Sequence, residues 1–164
     1  MEKTTMEKTK RCRVLSVISQ KGGVGKSATA TQLAVGLARK KHKVLFIDAD
    51  PQGTGSMMLG IAEPDELEES IATVLTKIIN EEPISDSEAI LHTVEDVHLL
   101  PANIDLASME VTLVNTMNRE RILKQYVDQQ RSNYDYIIID GMPSLGMITI
   151  NALAASDCAI IPTL

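Results

Sequence analysis

Tryptophan is absent from this chain of 164 residues, and Phe46, Tyr126, Tyr134 and Tyr136 are its only aromatic side chains. A packed interior must therefore be aliphatic. The material is there: 44% of the chain is hydrophobic and 23% charged, a globular balance that excludes wholesale disorder and fibrous repeats. One domain fits this length, and two do not. Cysteine occurs only as Cys12 and Cys158, in apolar runs far apart. That usage fits a reducing compartment, two small core residues and no disulfide framework. No apolar run approaches the roughly 20 residues of a membrane span. The N-terminus lacks the charged start, apolar run and cleavage site of a secretory leader, so a cytoplasmic location without membrane partners is expected. Positive charge is also short. The net charge of -6 works against binding DNA or anionic lipid across the whole surface and leaves only a local basic patch for that purpose.

Residues 1–13 carry Lys3, Lys8, Lys10, Arg11 and Arg13 without buried periodicity, and they read as a flexible basic tail ahead of one domain over 14–164. A β-branched run, Val14 to Ser19, predicts a buried strand that stops at a glycine-rich loop. From Ser27 the apolar spacing turns helical through Ala30, Leu33, Ala34, Leu37 and Ala38, with Arg39, Lys40 and Lys41 in the last turn. Val44 to Ile47 is a second strand, ending at Asp48 and Asp50. Eleven of the 22 acidic residues lie between Glu63 and Asp96. This segment reads as an acidic surface helix striped by Leu67, Ile71, Val74, Leu75, Ile78 and Ile79, a loop at Pro83, and a short helix near Ser87 to Leu91. Strands at Val97 to Leu100, Tyr136 to Asp140 and from Ala159 alternate with helices at about 105–114, 119–131 and 147–155. Strands alternating with helices predict an α/β domain, a mostly parallel sheet covered on both faces, with ligands beyond the carboxyl ends of the strands.

The chemistry gathers at one such end. Lys21, Gly22, Gly23, Val24, Gly25, Lys26 and Ser27 form a phosphate loop, whose glycines let successive N–H groups turn toward phosphate oxygens ahead of a helix N-terminus. Lys26 supplies a mobile charge to the β- and γ-phosphates, and Ser27 a hydroxyl for Mg2+. The generic pattern asks for glycine at position 20, where Gln20 stands. A second lysine, Lys21, precedes the glycine pair instead, giving the deviant form KGGxGK[ST]. It either adds charge beside the same phosphates or points toward a neighbouring molecule.

With Phe46 to Gly53, Leu100 to Leu106, Asn118-Arg119-Glu120, Tyr134 to Asp140, Pro143 to Gly146 and Asn151-Ala152-Leu153, this loop makes the chain from about Val14 to Leu164 resemble the ParA/Soj partition ATPases, relatives of MinD. The resemblance implies a P-loop fold of deviant Walker A type and slow, Mg2+-dependent ATP hydrolysis. It implies that Asp140 is the Walker B carboxylate acting on the metal through water, that Asp48 lies in the metal's outer shell, and that Asp50 orients the attacking water. It further implies that Lys21 crosses an ATP-dependent homodimer to reach the partner's nucleotide, and that a ParB-type centromere-binding protein and non-specific DNA of the nucleoid are partners. A cation inserted at the transition state is worth on the order of 10³ to 10⁵ in rate, about 4 to 7 kcal/mol, so fast turnover is expected only with such a partner.

Ala28 stands where the family usually carries Thr, which removes a hydroxyl from the α-phosphate side of the loop; an affinity loss of roughly 1 kcal/mol is expected. Gly141-Met142 replaces the common Cys-Pro, which predicts a more flexible turn after Asp140. Family chains are much longer, so the sequence reads as truncated in its C-terminal part. The alternative functions are a nucleotide-binding scaffold without productive hydrolysis and a MinD-like membrane-cycling ATPase. His42, His92 and His98 lack metal-ligand spacing and read as surface or boundary residues.

Overall fold

A computed structural model describes residues 11–163. The expected basic tail therefore lies almost entirely outside the described residues. Six strands form one sheet: β1 Arg13–Val17, β2 Val44–Ala49, β3 Leu91–His92, β4 His98–Leu100, β5 Tyr136–Gly141 and β6 Cys158–Ile160. Their spatial order is β3-β4-β2-β5-β1-β6, and all neighbours are parallel except the antiparallel pair β3–β4. The helices are α1 Lys26–Arg39, α2 Thr54–Met58, α3 Ile71–Ile79, α4 Leu106–Val114, α5 Ile122–Gln130 and α6 Met147–Ala155, with short 3-10 turns at Pro64–Glu66 and Arg119–Arg121. Among the described residues no helix is long and apolar enough to cross a membrane.

Alternation along the strands splits the interior into two aliphatic layers. Val17, Val44, Phe46, Leu99 and Ile138 face α1, whose buried surface is mostly Ala30, Ala34, Val35 and Ala38. Small side chains let α1 lie close to the sheet. Val14, Leu45, Ile47, Leu100, Ile137 and Ile139 face the other way, onto Ile71, Val74 and Leu75 of α3, Leu106, Met109 and Leu113 of α4, Tyr126 of α5 and Ile148 of α6. The predicted sheet with helices on both faces is what forms.

Several local expectations need correction. The helix expected near Ser87 to Leu91 is absent: Ala89 has a φ of 57°, a left-handed conformation that no α-helix continues, and the chain turns there into β3. The acidic stripe does not make an acidic helix. Its carboxylates Glu66, Glu68 and Glu69 precede α3, which is itself apolar and packed on the core. Cys12 is buried as expected, but Cys158 is exposed on the edge strand β6. The first strand begins at Arg13 and not at Val14. Lys40 caps α1 and Lys41 lies beyond it with a φ of 65°.

Candidate functional site

The β-pairing brings the acidic strand ends together. β5 lies between β1 and β2, and its Asp140 is in register with Val17 on one side and Asp48 on the other. Immediately past Val17 the chain enters the glycine loop. Gly23 and Gly25 have φ of 72° and 79°, backbone that residues with a β-carbon resist. Gly25 is the N-cap of α1 and offers no side-chain cap, and the helix ladder begins with the Thr29 N–H donating to the Gly25 carbonyl at 2.8 Å. The first-turn amides of Lys26, Ser27 and Ala28 are therefore left over at the positive end of a 14-residue helix, an arrangement suited to anions.

Lys26 is buried and Ser27 half-buried, while Gln20, Lys21, Gly22, Gly23 and Ala28 are exposed; Val24 anchors the loop in the interior. Asp140 is fully buried, and both its carboxylate oxygens lack a hydrogen-bond partner among the described residues. Burial pushes its pKa up to about 7; the Ser27 hydroxyl opposes this, the charges of Asp48 and Asp50 add to it, and the Lys26 ammonium opposes it. An orphaned buried carboxylate beside a hydroxyl and an ammonium is a site short of one cation.

Asp48 is equally buried but satisfied. Its Oδ2 accepts from the Ser56 amide at 2.6 Å and the Ser56 hydroxyl at 2.7 Å, and its Oδ1 accepts from the Asp50 amide at 3.2 Å. Burial raises its pKa to about 6 against those three donors. Asp48 thus holds the start of α2 under the site. Asp50 accepts from the Gln52 amide on Oδ1 at 2.9 Å and is nearly buried.

The donor set fits Mg2+. Ser27 offers a hard oxygen ligand and Asp140 a carboxylate that could accept from a metal-bound water, and a Mg2+ ion takes the rest of its shell from water and phosphate. No cluster of three His, Cys, Asp or Glu that could hold a metal ion occurs among the described residues. The predicted residues Lys21 to Ala28, Asp48, Asp50 and Asp140 thus sit on adjoining strand ends and one loop. Ser56, which fixes Asp48, and Glu110, which caps α6 from α4, escaped sequence reasoning. An uncapped helix start after Gly146 was the one signal for the second.

A cavity of about 300 Å³ opens beside the loop entrance, lined by Ile18, Ser19, Gln20, Ser144, Leu145 and Thr149. A cavity of about 440 Å³ lies at the opposite, N-terminal end of the parallel strands, where His42, His92, His98 and Tyr134 meet. The histidines therefore gather, away from the loop.

Residues 12–164 match the family described as AAA domain. Sporulation initiation inhibitor protein Soj of Bacillus subtilis is 42% identical over 92% of this chain and 57% of its own length. Chromosome partitioning protein ParA of Myxococcus xanthus is 42% identical over 92% of this chain and 51% of its own. The chain thus spans a little over half the length of these relatives. Cobyrinic acid a,c-diamide synthase of Mycobacterium smegmatis, solved with a bound ATP analog and magnesium, superposes with a TM-score of 0.86 at 39% identity, covering 93% of this chain and 60% of that one.

Proposed function

This chain belongs to the ParA/Soj family of P-loop ATPases, and on that premise we propose that it binds ATP with Mg2+ at the loop ahead of α1 and hydrolyses it slowly as a partition ATPase. The observation that carries the reading is Asp140: a buried carboxylate with two unpartnered oxygens, next to Ser27 and the bare first turn of α1. Ser27 would hold Mg2+ and Asp140 would act on it through water, and the bound ion would supply charge neutralisation for the β- and γ-phosphates. Lys26 adds its ammonium to the same phosphates. The first-turn amides orient them, and Asp50, at the neighbouring strand end, orients the attacking water. Phosphoryl transfer asks for positioning and charge more than covalent chemistry, and these groups provide both at modest rate.

Exposed Lys21 serves a second copy of the chain, reaching its nucleotide across an ATP-dependent dimer. A ParB-type protein raises turnover, and the cycle runs in the cytoplasm on nucleoid DNA, moving a plasmid or chromosome. Among the relatives, the chromosome partitioning protein ParA of Myxococcus xanthus carries a partition name, which supports this reading over the synthase name of a structural neighbour. Calorimetric titration with Mg–ATP and light scattering test it. Lys26→Ala is expected to bind no nucleotide, Lys21→Ala to bind but stay monomeric, and Asp50→Ala to accumulate as an ATP-bound dimer. Equal behaviour of all three overturns the proposal.

A further inference from the structure

Residues 141–146 join Asp140 to α6, and the far end of that turn has no cap of its own. Gly146 occupies the N-cap position of α6 without a side chain to receive the first amides. The acceptor comes from another helix. Glu110, in the middle of α4, accepts from the Met147 amide on Oε2 at 2.7 Å and from the Ile148 amide on Oε1 at 3.1 Å. One carboxylate thus takes two successive amides at the positive end of a helix, in charge-assisted hydrogen bonds. The approach is close: a β-carbon at Gly146 would collide with the Glu110 carboxylate.

Asn151 ties the same helix to the start of α5, accepting from the Leu123 amide at 3.0 Å and donating to the Arg119 carbonyl at 2.7 Å. Its apolar side, Ile148, Ala152 and Ala155, is buried in the core. α6 therefore has packing enough to remain folded without Glu110. Glu110 supplies the one side-chain acceptor for the first amides of α6 among the described residues, where the turn behind Asp140 ends. Within that turn the internal bonds are local, Ser144 Oγ accepting from the Gly146 amide at 3.2 Å, and Leu145 is exposed.

We infer that Glu110 is a positioning residue for phosphoryl transfer: through α6 it sets how residues 141–146 lie beside Asp140, without touching nucleotide. The inference rests on the ATPase reading given above. Displacing a catalytic group by about 1 Å can lower a rate on the order of 10²-fold, whereas nucleotide binding depends on the loop and α1, to which Glu110 makes no hydrogen bond among the described residues.

Glu110→Gln keeps the shape of the side chain but turns an NH2 group against one of the two amides. Its kcat per nucleotide-binding molecule is expected to fall about tenfold or more, with the Kd for Mg–ATP within about twofold of wild type. Hydrogen exchange at Met147 and Ile148 should accelerate in parallel. A purely structural cap would lower the melting temperature and the active fraction but leave kcat per binding molecule unchanged. Gly146→Ala, which intrudes on the carboxylate, should reproduce the kcat loss, and Glu110→Ala/Gly146→Ala should be no worse than Glu110→Ala. Wild-type kcat in Glu110→Gln, or losses that simply add in the double variant, overturn this inference alone. A wild-type chain that binds no Mg–ATP overturns the ATPase reading, and this inference with it.

Discussion

Asp48 and Asp140 are side by side in the sheet and equally buried, yet one has three hydrogen-bond donors and the other none. The difference is Ser56. Its hydroxyl also accepts from the Ala102 amide at 3.2 Å, so Ser56→Ala takes a donor from a buried carboxylate and an acceptor from a buried amide. A loss of about 2 to 3 kcal/mol in urea denaturation is expected, and a loss below the error of that measurement would contradict the role given to Ser56. Next to it, a β-carbon on Gly55 would stand 2.8 Å from Phe46 Cε1 and 3.0 Å from Asp140 Oδ2. Gly55→Ala should therefore cost about 1 to 3 kcal/mol through overpacking, read in the same denaturation series. Asp48 and Asp140 were legible because each closes an apolar, β-branched run with a carboxylate. Ser56 was not, since a serine among glycines and threonines says nothing about which buried group it will meet.

Helix starts show how cap chemistry overrides an apolar stripe. The stripe from Leu67 onward runs past the true beginning of α3, which is fixed by Ser70: its Oγ accepts from the Ala72 amide at 3.2 Å, and Thr73 Oγ1 accepts from the Ser70 amide at 3.3 Å. The box uses Thr at its fourth position in place of the usual Glu or Gln, so it carried no sequence warning. Ser70 Oγ also donates to Asn103 Oδ1 at 3.0 Å, pinning the helix to the segment after β4. Ser70→Ala is expected to destabilise by about 1 to 2 kcal/mol, the usual worth of a cap plus this bond, and Ser70→Thr to recover most of it. Equal stability of Ser70→Ala and wild type in urea would remove the cap from the account. Of the long periodic elements, α6 was legible from end to end and α1 to within two residues. β3, two residues long, and α2, built on Thr-Gly-Ser, were not, because neither holds a full period of any pattern.

At the scale of the whole molecule, strand order is what the chain cannot spell locally. Asp48 and Asp140 meet only because β5 inserts between β1 and β2, and nothing within either segment encodes that pairing. The same parallel order gives the sheet two unlike ends, phosphate chemistry at one and imidazoles at the other. At the second end His98 sits across the β3–β4 pair from His92, with ring centroids 4.0 Å apart, and its Nδ1 is 2.8 Å from the Tyr134 hydroxyl. Burial, then the neighbouring charges of His92 and Lys43, hold its pKa below the ordinary value of 6.5. The folded chain therefore resists protonation there longer than the unfolded chain does. By linkage, stability from neutral His98 is complete above about pH 6.5 and is lost as pH falls toward the lower folded-state value. His98→Gln keeps a polar partner for Tyr134 but cannot titrate. Urea denaturation between about pH 7.5 and 5 should give a shallower acid-side decline for His98→Gln than for wild type, while carboxylates common to both chains take over at lower pH. Parallel curves over that interval would mean that His98 takes up its proton as readily folded as unfolded, and that it has no part in the acid response.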